Sequence, residues 1–151
     1  MKTPRPEDRL KRKSGLPLAL QRALDANANR AREGLRVAED VARFFWNDGP
    51  LTAFLKKIRH GVTRSETALF SRGVGRFKVR DVESDCGRRT REDSEKIRRN
   101  ARDLFLANLK RAQEALRSLE EFAKAAGCRE SESFKRLRYA AYQAETRADR
   151  H

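Results

Sequence analysis

The chain has 151 residues, 38% of them charged, and 36 Lys and Arg against 22 Asp and Glu set a formal net charge of +14. That length fits one domain with a real core, and no apolar run is long enough to span a bilayer or to serve as a signal h-region. Two cysteines, Cys86 and Cys128, form neither a zinc spacing nor a disulfide framework, which suits a reducing cytoplasm. The positive charge calls for anionic company: nucleic acid, phosphorylated small molecules or an acidic partner.

Residues 1–15 hold Pro4, Pro6 and the run Lys11-Arg12-Lys13 without apolar periodicity. They are expected to form a flexible basic arm, either solvated or gripping phosphate, ahead of one helical domain over 16–151. Pro17 suits a first helical turn. Helix one is expected over Leu18–Trp46, its apolar stripe formed by Leu24, Ala31, Leu35, Ala38, Ala42 and Phe45. Asn47-Asp48-Gly49-Pro50 reads as its stop, with Gly49 as the C-terminal cap and Pro50 barring continuation. Phe44, Phe45 and Trp46 cannot all face one stripe, so at least one is expected to reach a loop, a ligand or a partner. Helix two is expected over Leu51–Phe70 and puts Leu51, Phe54, Leu55, Ile58 and Val62 on one face. His60 has no second His placed to help it chelate a metal.

Residues 71–89 break the helical pattern. Gly73, Gly75 and Gly87 lie among Arg72, Arg76, Lys78, Arg80, Arg88 and Arg89, and backbone N–H groups with guanidiniums suit phosphate. Asp81 and Asp85 have the spacing to hold Mg²⁺ through water. A solvated basic loop with compensating acids is the competing reading. Thr90-Arg91-Glu92-Asp93 has the form of a capping box and opens helix three, expected to run to Ala126 and end at Gly127. Helix four is expected over Glu132–Arg147, with Phe134, Leu137, Ala141 and Ala144 on one face.

Two of these helices are copies of each other. Ala26–Phe44 laid over Ala107–Ala125 without a gap gives nine identities in nineteen positions, where composition alone gives about two. Leu55-Lys56-Lys57-Ile58-Arg59 then matches Phe134-Lys135-Arg136-Leu137-Arg138 after nearly the same spacing. The fold expected is all-α: a duplicated helix-pair bundle of about four long helices, repeat one over 18–70 and repeat two over 90–147, related by an approximate two-fold axis. Five polar pairs are kept: Asn27/Asn108, Arg30/Arg111, Glu33/Glu114, Arg36/Arg117 and Glu39/Glu120. A surface charge ladder adds only a few tenths of a kcal/mol per pair, so buried networks or ligand contacts are better reasons to keep them.

These motifs, with Arg80-Asp81-x-x-x-Asp85-x-Gly87, Leu119-Glu120-Glu121-Phe122-Ala123-Lys124 and Phe134-Lys135-x-Leu137-Arg138-Tyr139-x-x-Tyr142, resemble the helical domain often fused in front of thiamine-phosphate synthase in bacteria. That family is described as an alternative hydroxymethylpyrimidine-phosphate kinase. The resemblance runs from about Leu24 to Glu145. It implies transfer of a phosphoryl group from ATP to 4-amino-5-hydroxymethyl-2-methylpyrimidine phosphate, giving the diphosphate. The fused synthase would be a (β/α)₈ barrel of 200 residues or more, so the label of a synthase is expected to describe an absent partner, and this chain to act as a separate domain.

The residues fit that chemistry. A phosphate monoester acceptor is already anionic near neutral pH, so the reaction needs alignment and charge neutralisation more than a base. Arg36, Arg80, Arg117 and Asp81 stand as catalytic candidates, and Asn27, Arg30, Glu33, Asn108, Arg111 and Glu114 as substrate-binding ones. Gly87 and Arg80 would contact ATP, and Asp81 and Asp85 would hold Mg²⁺. The site is expected where the two repeated helices approach each other, under the 72–89 loop. Neither a Walker A pattern nor a protein-kinase set occurs. A homodimer is expected, with contact to a separate thiamine-phosphate synthase as a further partner. Two rival readings stand beside the kinase: a docking or dimerisation module for a thiamine enzyme, and a basic nucleic-acid-binding module, which known nucleic-acid motifs do not support.

Overall fold

The structure, a computed structural model, describes residues 16–71, 82–84, 86–89 and 97–151. Among these residues it is all-α, with four long helices and no strand. Helix α1 spans Leu18–Asp40, α2 Gly49–Phe70, α3 Ala101–Ala125 and α4 Glu130–Arg147. Each pairs with its sequence neighbour, α1 with α2 and α3 with α4, and the pairs join through α1 on α3 and α2 on α4. Neighbours around this four-sided bundle run in opposite directions. Trp46 meets Phe105 with ring centroids 4.8 Å apart, while Gly34 meets Asn108 and Ala112.

The apolar stripes read from the sequence form the core, except for Phe45, which the π turn at the end of helix one leaves 68% exposed. Leu24, Leu35, Leu116 and Leu119 are buried beside Leu51, Leu55, Ile58, Phe105 and Phe134. Leu137 and Phe54, also placed on core faces, are half-buried. Phe54 lies under the Arg147 guanidinium, 3.8 Å from the ring centroid, which shelters it as a cation–π contact.

The first corner differs from the expectation. Helix one ends in a π turn, Val41–Phe45, in which the Trp46 N–H bonds the Val41 carbonyl at 3.2 Å. Gly49 and Pro50 do not stop it; they open α2. Asn47 takes the left-handed backbone, φ 50°, a conformation Asn tolerates better than most residues. Asp48 then caps α2, its carboxylate accepting the Leu51 N–H at 2.9 Å, and Pro50 sits in the first turn, where its missing N–H costs nothing. The second corner turns at Gly127, φ 67°, as expected.

Helix three begins later than expected. Ile97–Arg99 are not helical, and Asn100 caps Ala101, its side chain accepting from the Asp103 N–H at 2.8 Å. The Thr90–Asp93 capping box and the 1–15 arm lie outside the described residues. At 25 residues, α3 is about 38 Å long.

Asp48 also fastens the end of the chain. Its second oxygen accepts from Arg150 at 2.7 Å and meets the His151 ring at 2.9 Å, and that ring stacks on Trp46 at 4.5 Å. Arg102 adds bonds to the Ala148 carbonyl and to Asp149, 3.1 and 3.2 Å. Burial pushes the Asp48 carboxyl up, but the bonds from His151, the Leu51 amide and Arg150 outweigh it and hold it at about 2.

Two glycines set the helix spacing differently. A Cβ on Gly34 would sit 2.4 Å from the Asn108 backbone oxygen, whereas one on Gly61 would meet a Leu137 methyl at 2.5 Å. Backbone cannot yield locally; the tip of a leucine can. Gly34→Ala is therefore expected to destabilise by about 1–3 kcal/mol. Gly61→Ala is expected to be near neutral, since helix propensity returns about 1 kcal/mol. Thermal melts of the two variants check this, and equal losses would place the tight seam elsewhere.

Candidate functional site

The retained polar pairs divide by what they touch. Glu39 and Glu120 are 5% and 1% exposed and face the second helix of their own pair. Arg59 Nε donates to Glu39 Oε2 at 2.8 Å, and Arg138 donates to Glu120 Oε2 from Nε and Nη2 at 3.0 and 2.8 Å. Arg36 and Arg117, half-exposed, reach the same carboxylates one turn on, at 3.9 and 3.3 Å. Each copy thus carries one buried clamp between its helices. A further cross-link sits two turns away: Arg32 pairs with Glu66 in the first copy, and Gln113 Nε2 donates to Glu145 at 2.6 Å in the second. The sequence favours a buried network or a ligand contact for the Glu39/Glu120 pair, and the structure shows the network; the partners Arg59 and Arg138 stand in the second repeated string, and the coincidence of the two repeats is the signal that links them.

Asn27 and Asn108 have a local role. Each side-chain amide donates to the carbonyl four residues earlier, Ala23 at 2.8 Å and Leu104 at 2.9 Å. Arg30, Glu33, Arg111 and Glu114 lie on the outside of the two helices and are exposed. Register places Arg30 and Arg111 beside the α1–α3 seam, with Glu33 and Glu114 at the same height but turned about 100° or more from it. Gly34 abuts Asn108 and Ala112, so residues 30–33 on one helix and 111–114 on the other fall within about one turn of that crossing. Arg30, Glu33 and Glu114 have no hydrogen bond or ion pair among the described residues.

Arg80, Asp81 and Asp85 lie outside the described residues. Gly87 is exposed in the short 3₁₀ turn Cys86–Arg89. The described loop fragment touches the bundle where Arg22 Nη2 donates to Ser84 Oγ at 3.4 Å, near the start of α1. Among the described residues no group of three His, Cys, Asp or Glu side chains is placed to hold a metal. No helix is long and apolar enough to cross a membrane. A groove of about 580 Å³ runs between α2 and α4 past Arg64, Arg129 and Arg136, and none of the retained pairs lines it.

Burial pushes the Glu120 carboxyl up, yet bonds from Lys124 and Arg138 outweigh it and hold it at about 2 against an ordinary 4.5. A depressed carboxylate stabilises the fold above pH 4.5 and loses that contribution as pH falls toward 2. The amount is on the order of 3 kcal/mol. Glu120→Gln is expected to cost about 3 kcal/mol at neutral pH, because Arg138 would remain half-buried without a counter-charge. It should also flatten the stability–pH curve between pH 4.5 and 2. Denaturant melts across that range measure both effects; an unchanged slope would assign the acid sensitivity to other carboxylates.

The ThiD2 family model matches residues 22–147. Proteins named thiamine-phosphate synthase are similar to the chain. One from Rhodopirellula baltica is 40% identical over 124 residues, covering 80% of this chain and 32% of that protein. Those of Thermosynechococcus vestitus and Synechocystis are each 38% identical, covering 82% and 86% of this chain and 33% and 36% of theirs. The chain therefore spans about a third of the length of these relatives. No solved structure matches it. With a family model over nearly the whole helical domain and relatives named for a thiamine-biosynthesis enzyme, the chain belongs to the ThiD2 family.

Proposed function

We propose that this protein is a phosphotransferase of thiamine biosynthesis, moving the γ-phosphoryl group of ATP onto 4-amino-5-hydroxymethyl-2-methylpyrimidine phosphate. The observation that carries the reading is the division of the retained pairs. Three have intramolecular partners, while Arg30, Glu33 and Glu114 are exposed and make no hydrogen bond or ion pair among the described residues. Self-contact within the described bundle does not account for Arg30, Glu33 or Glu114; a ligand with a phosphate for Arg30 and N–H donors for the carboxylates would.

In this reading Arg30 and Arg111 take phosphate oxygens through charge-assisted bonds, and Glu33 and Glu114 accept from donor groups of the substrate. Arg36 and Arg117 keep the clamps in place and lend positive potential. Asp81 and Asp85 would hold the Mg²⁺ that neutralises the transferring phosphoryl group, with Arg80 and Gly87 at the nucleotide. Binding and alignment are the work of this chain's own side chains; the acceptor phosphate needs no general base.

The test is a coupled assay with MgATP and the pyrimidine monophosphate. Turnover is expected in the wild type. Arg30→Ala and Arg111→Ala should lower kcat/KM by about tenfold or more. Arg30→Ala should leave the melting temperature within a degree or two, since surface changes are worth about half a kcal/mol. Absence of turnover, or unchanged kinetics in both variants, would overturn the reading.

One observation favours an association role beside it. Phe44 and Phe45, each 68% exposed, project from the π turn, and exposed paired aromatics mark contact surfaces. A homodimer through this turn is the reading adopted. Light scattering at micromolar concentration should return a dimer mass, and Phe44→Ser with Phe45→Ser a monomer; a monomeric wild type would remove it.

A further inference from the structure

The two copies differ where α2 packs on α4. The register that lays Leu55 over Phe134 also lays Phe54 over Ser133 and Ala68 over Arg147. At one end of the α2–α4 seam Phe54 and Arg147 fill the space between the helices, the guanidinium 3.8 Å from the ring centroid. The matching pair at the other end is Ser133 and Ala68, and both line the groove of about 580 Å³ between these helices. Two large side chains close one end, and two small ones leave the other open. The rest of the apolar lining is Leu137, which lies against Gly61.

The polar lining carries both signs. Arg64, Arg129 and Arg136 line the groove and are exposed. Arg64 has no hydrogen bond or ion pair among the described residues. Arg136 Nη2 donates to Ser133 Oγ at 3.0 Å, and Arg129 has only the adjacent Glu130 at 3.7 Å, a weak pair with the arginine 90% exposed. Glu132 is exposed and also unpaired among the described residues. Arg129 and Arg136 are two turns apart, about 10 Å along α4. Because Gly61 meets Leu137 and the helices are antiparallel, Arg64 stands across the groove at a height between them. That span is about three residues of extended chain, whose alternate side chains point the same way.

We infer that this groove docks an extended acidic peptide segment of a partner protein. Carboxylates of the segment pair with the three arginines, as acidic motifs do with arginine clusters. Its backbone N–H groups find acceptors in Glu130 and Glu132. A bare polyanion would face those two carboxylates with no donor to offer them, so the mixed lining favours a peptide. A net charge of +14 steers an acidic partner toward the chain. The groove lies on the side of the bundle opposite the α1–α3 face. A docked segment therefore leaves that face open, and the inference does not depend on phosphoryl transfer.

The experiment is fluorescence polarisation on the full chain, with a labelled peptide in which Glu alternates with Ala. The same peptide with Gln for Glu and inorganic tripolyphosphate as a competitor are the comparisons. Ser133→Phe with Ala68→Arg rebuilds the Phe–Arg contact of the other end, closing the groove while adding a positive charge. Non-specific attraction therefore predicts tighter binding in this variant, whereas the groove predicts binding weaker by about tenfold or more. The wild type is expected to bind the Glu peptide and to prefer it to the Gln peptide by a similar factor. Arg64→Ala should weaken the Glu peptide severalfold without lowering the melting temperature, and Lys110→Ala, an exposed charge on α3 outside the groove, should not. That comparison carries the test by itself if the double variant fails to fold. No binding of the Glu peptide, binding unchanged or tightened on closure, or equal losses in Arg64→Ala and Lys110→Ala would overturn the inference. So would tripolyphosphate binding tighter than the peptide and lost on closure, which would make the groove an anion site, or a dimer that closure converts to monomer, which would give it to a second copy.

Discussion

A buried carboxylate must be paired, and each half of this fold pairs one at the equivalent position between its two helices. Glu39 and Glu120 lie inside the bundle, and the arginines that satisfy them, Arg59 and Arg138, come from the neighbouring helix. A pair of this kind fixes register. Sliding α2 by one residue along α1 would turn Arg59 about 100° from Glu39 and strand a charge in the core. The second cross-links, Arg32 with Glu66 and Gln113 with Glu145, hold each hairpin two turns further on. The long helices can therefore keep modest apolar stripes in a chain that is 38% charged. Specific polar contacts, rather than bulk, decide which faces meet.

Duplication places these clamps, and a local departure from it gives the halves different chemistry. The separation from Glu39 to Arg59 is 20 residues and that from Glu120 to Arg138 is 18. The surplus is absorbed at the first corner, where the helix widens into the π turn and Asn47 adopts a left-handed backbone. The Asp48 N–H then bonds the Ala42 carbonyl across six residues, while the Cys128 N–H reaches Ala123 across five. Phe44 and Phe45 are turned outward, and Trp46 inward onto Phe105. One corner becomes a plain helical cap and the other an aromatic, cation-rimmed surface.

Much of this was legible in the chain. Periodicity of 3.6 placed α1, α2 and α4 within a few residues, and the gapless match of two nineteen-residue stretches announced the duplication. The Glu–Arg partners were each present in the repeats, but nothing in one dimension says which repeated acid meets which repeated base. The corner was misread at Gly49 and Pro50 because both residues serve equally well after one helix or at the start of the next. The deciding residue, Asp48, can cap α2 only when the chain turns sharply enough at Asn47. Helix three was begun too early because Thr90–Asp93 has the form of a capping box and nothing local shows that the helix is capped later, at Asn100.

The sequence by itself determined the helical class, the two-fold repeat, the family resemblance and the set of residues worth questioning. Those follow from spacing, and spacing is a property of the chain. Only the tertiary structure decided which of the retained residues are spent on the fold and which face solvent. Asn27 and Glu39 are equally well retained, yet one bonds its own helix and the other crosses to α2. Arg43 and Lys124 occupy matching positions, yet only the lysine reaches its carboxylate. Arg43 stands in the π turn and Lys124 in regular α-helix, and which face of a helix a side chain serves is fixed only when the neighbouring helices are in place.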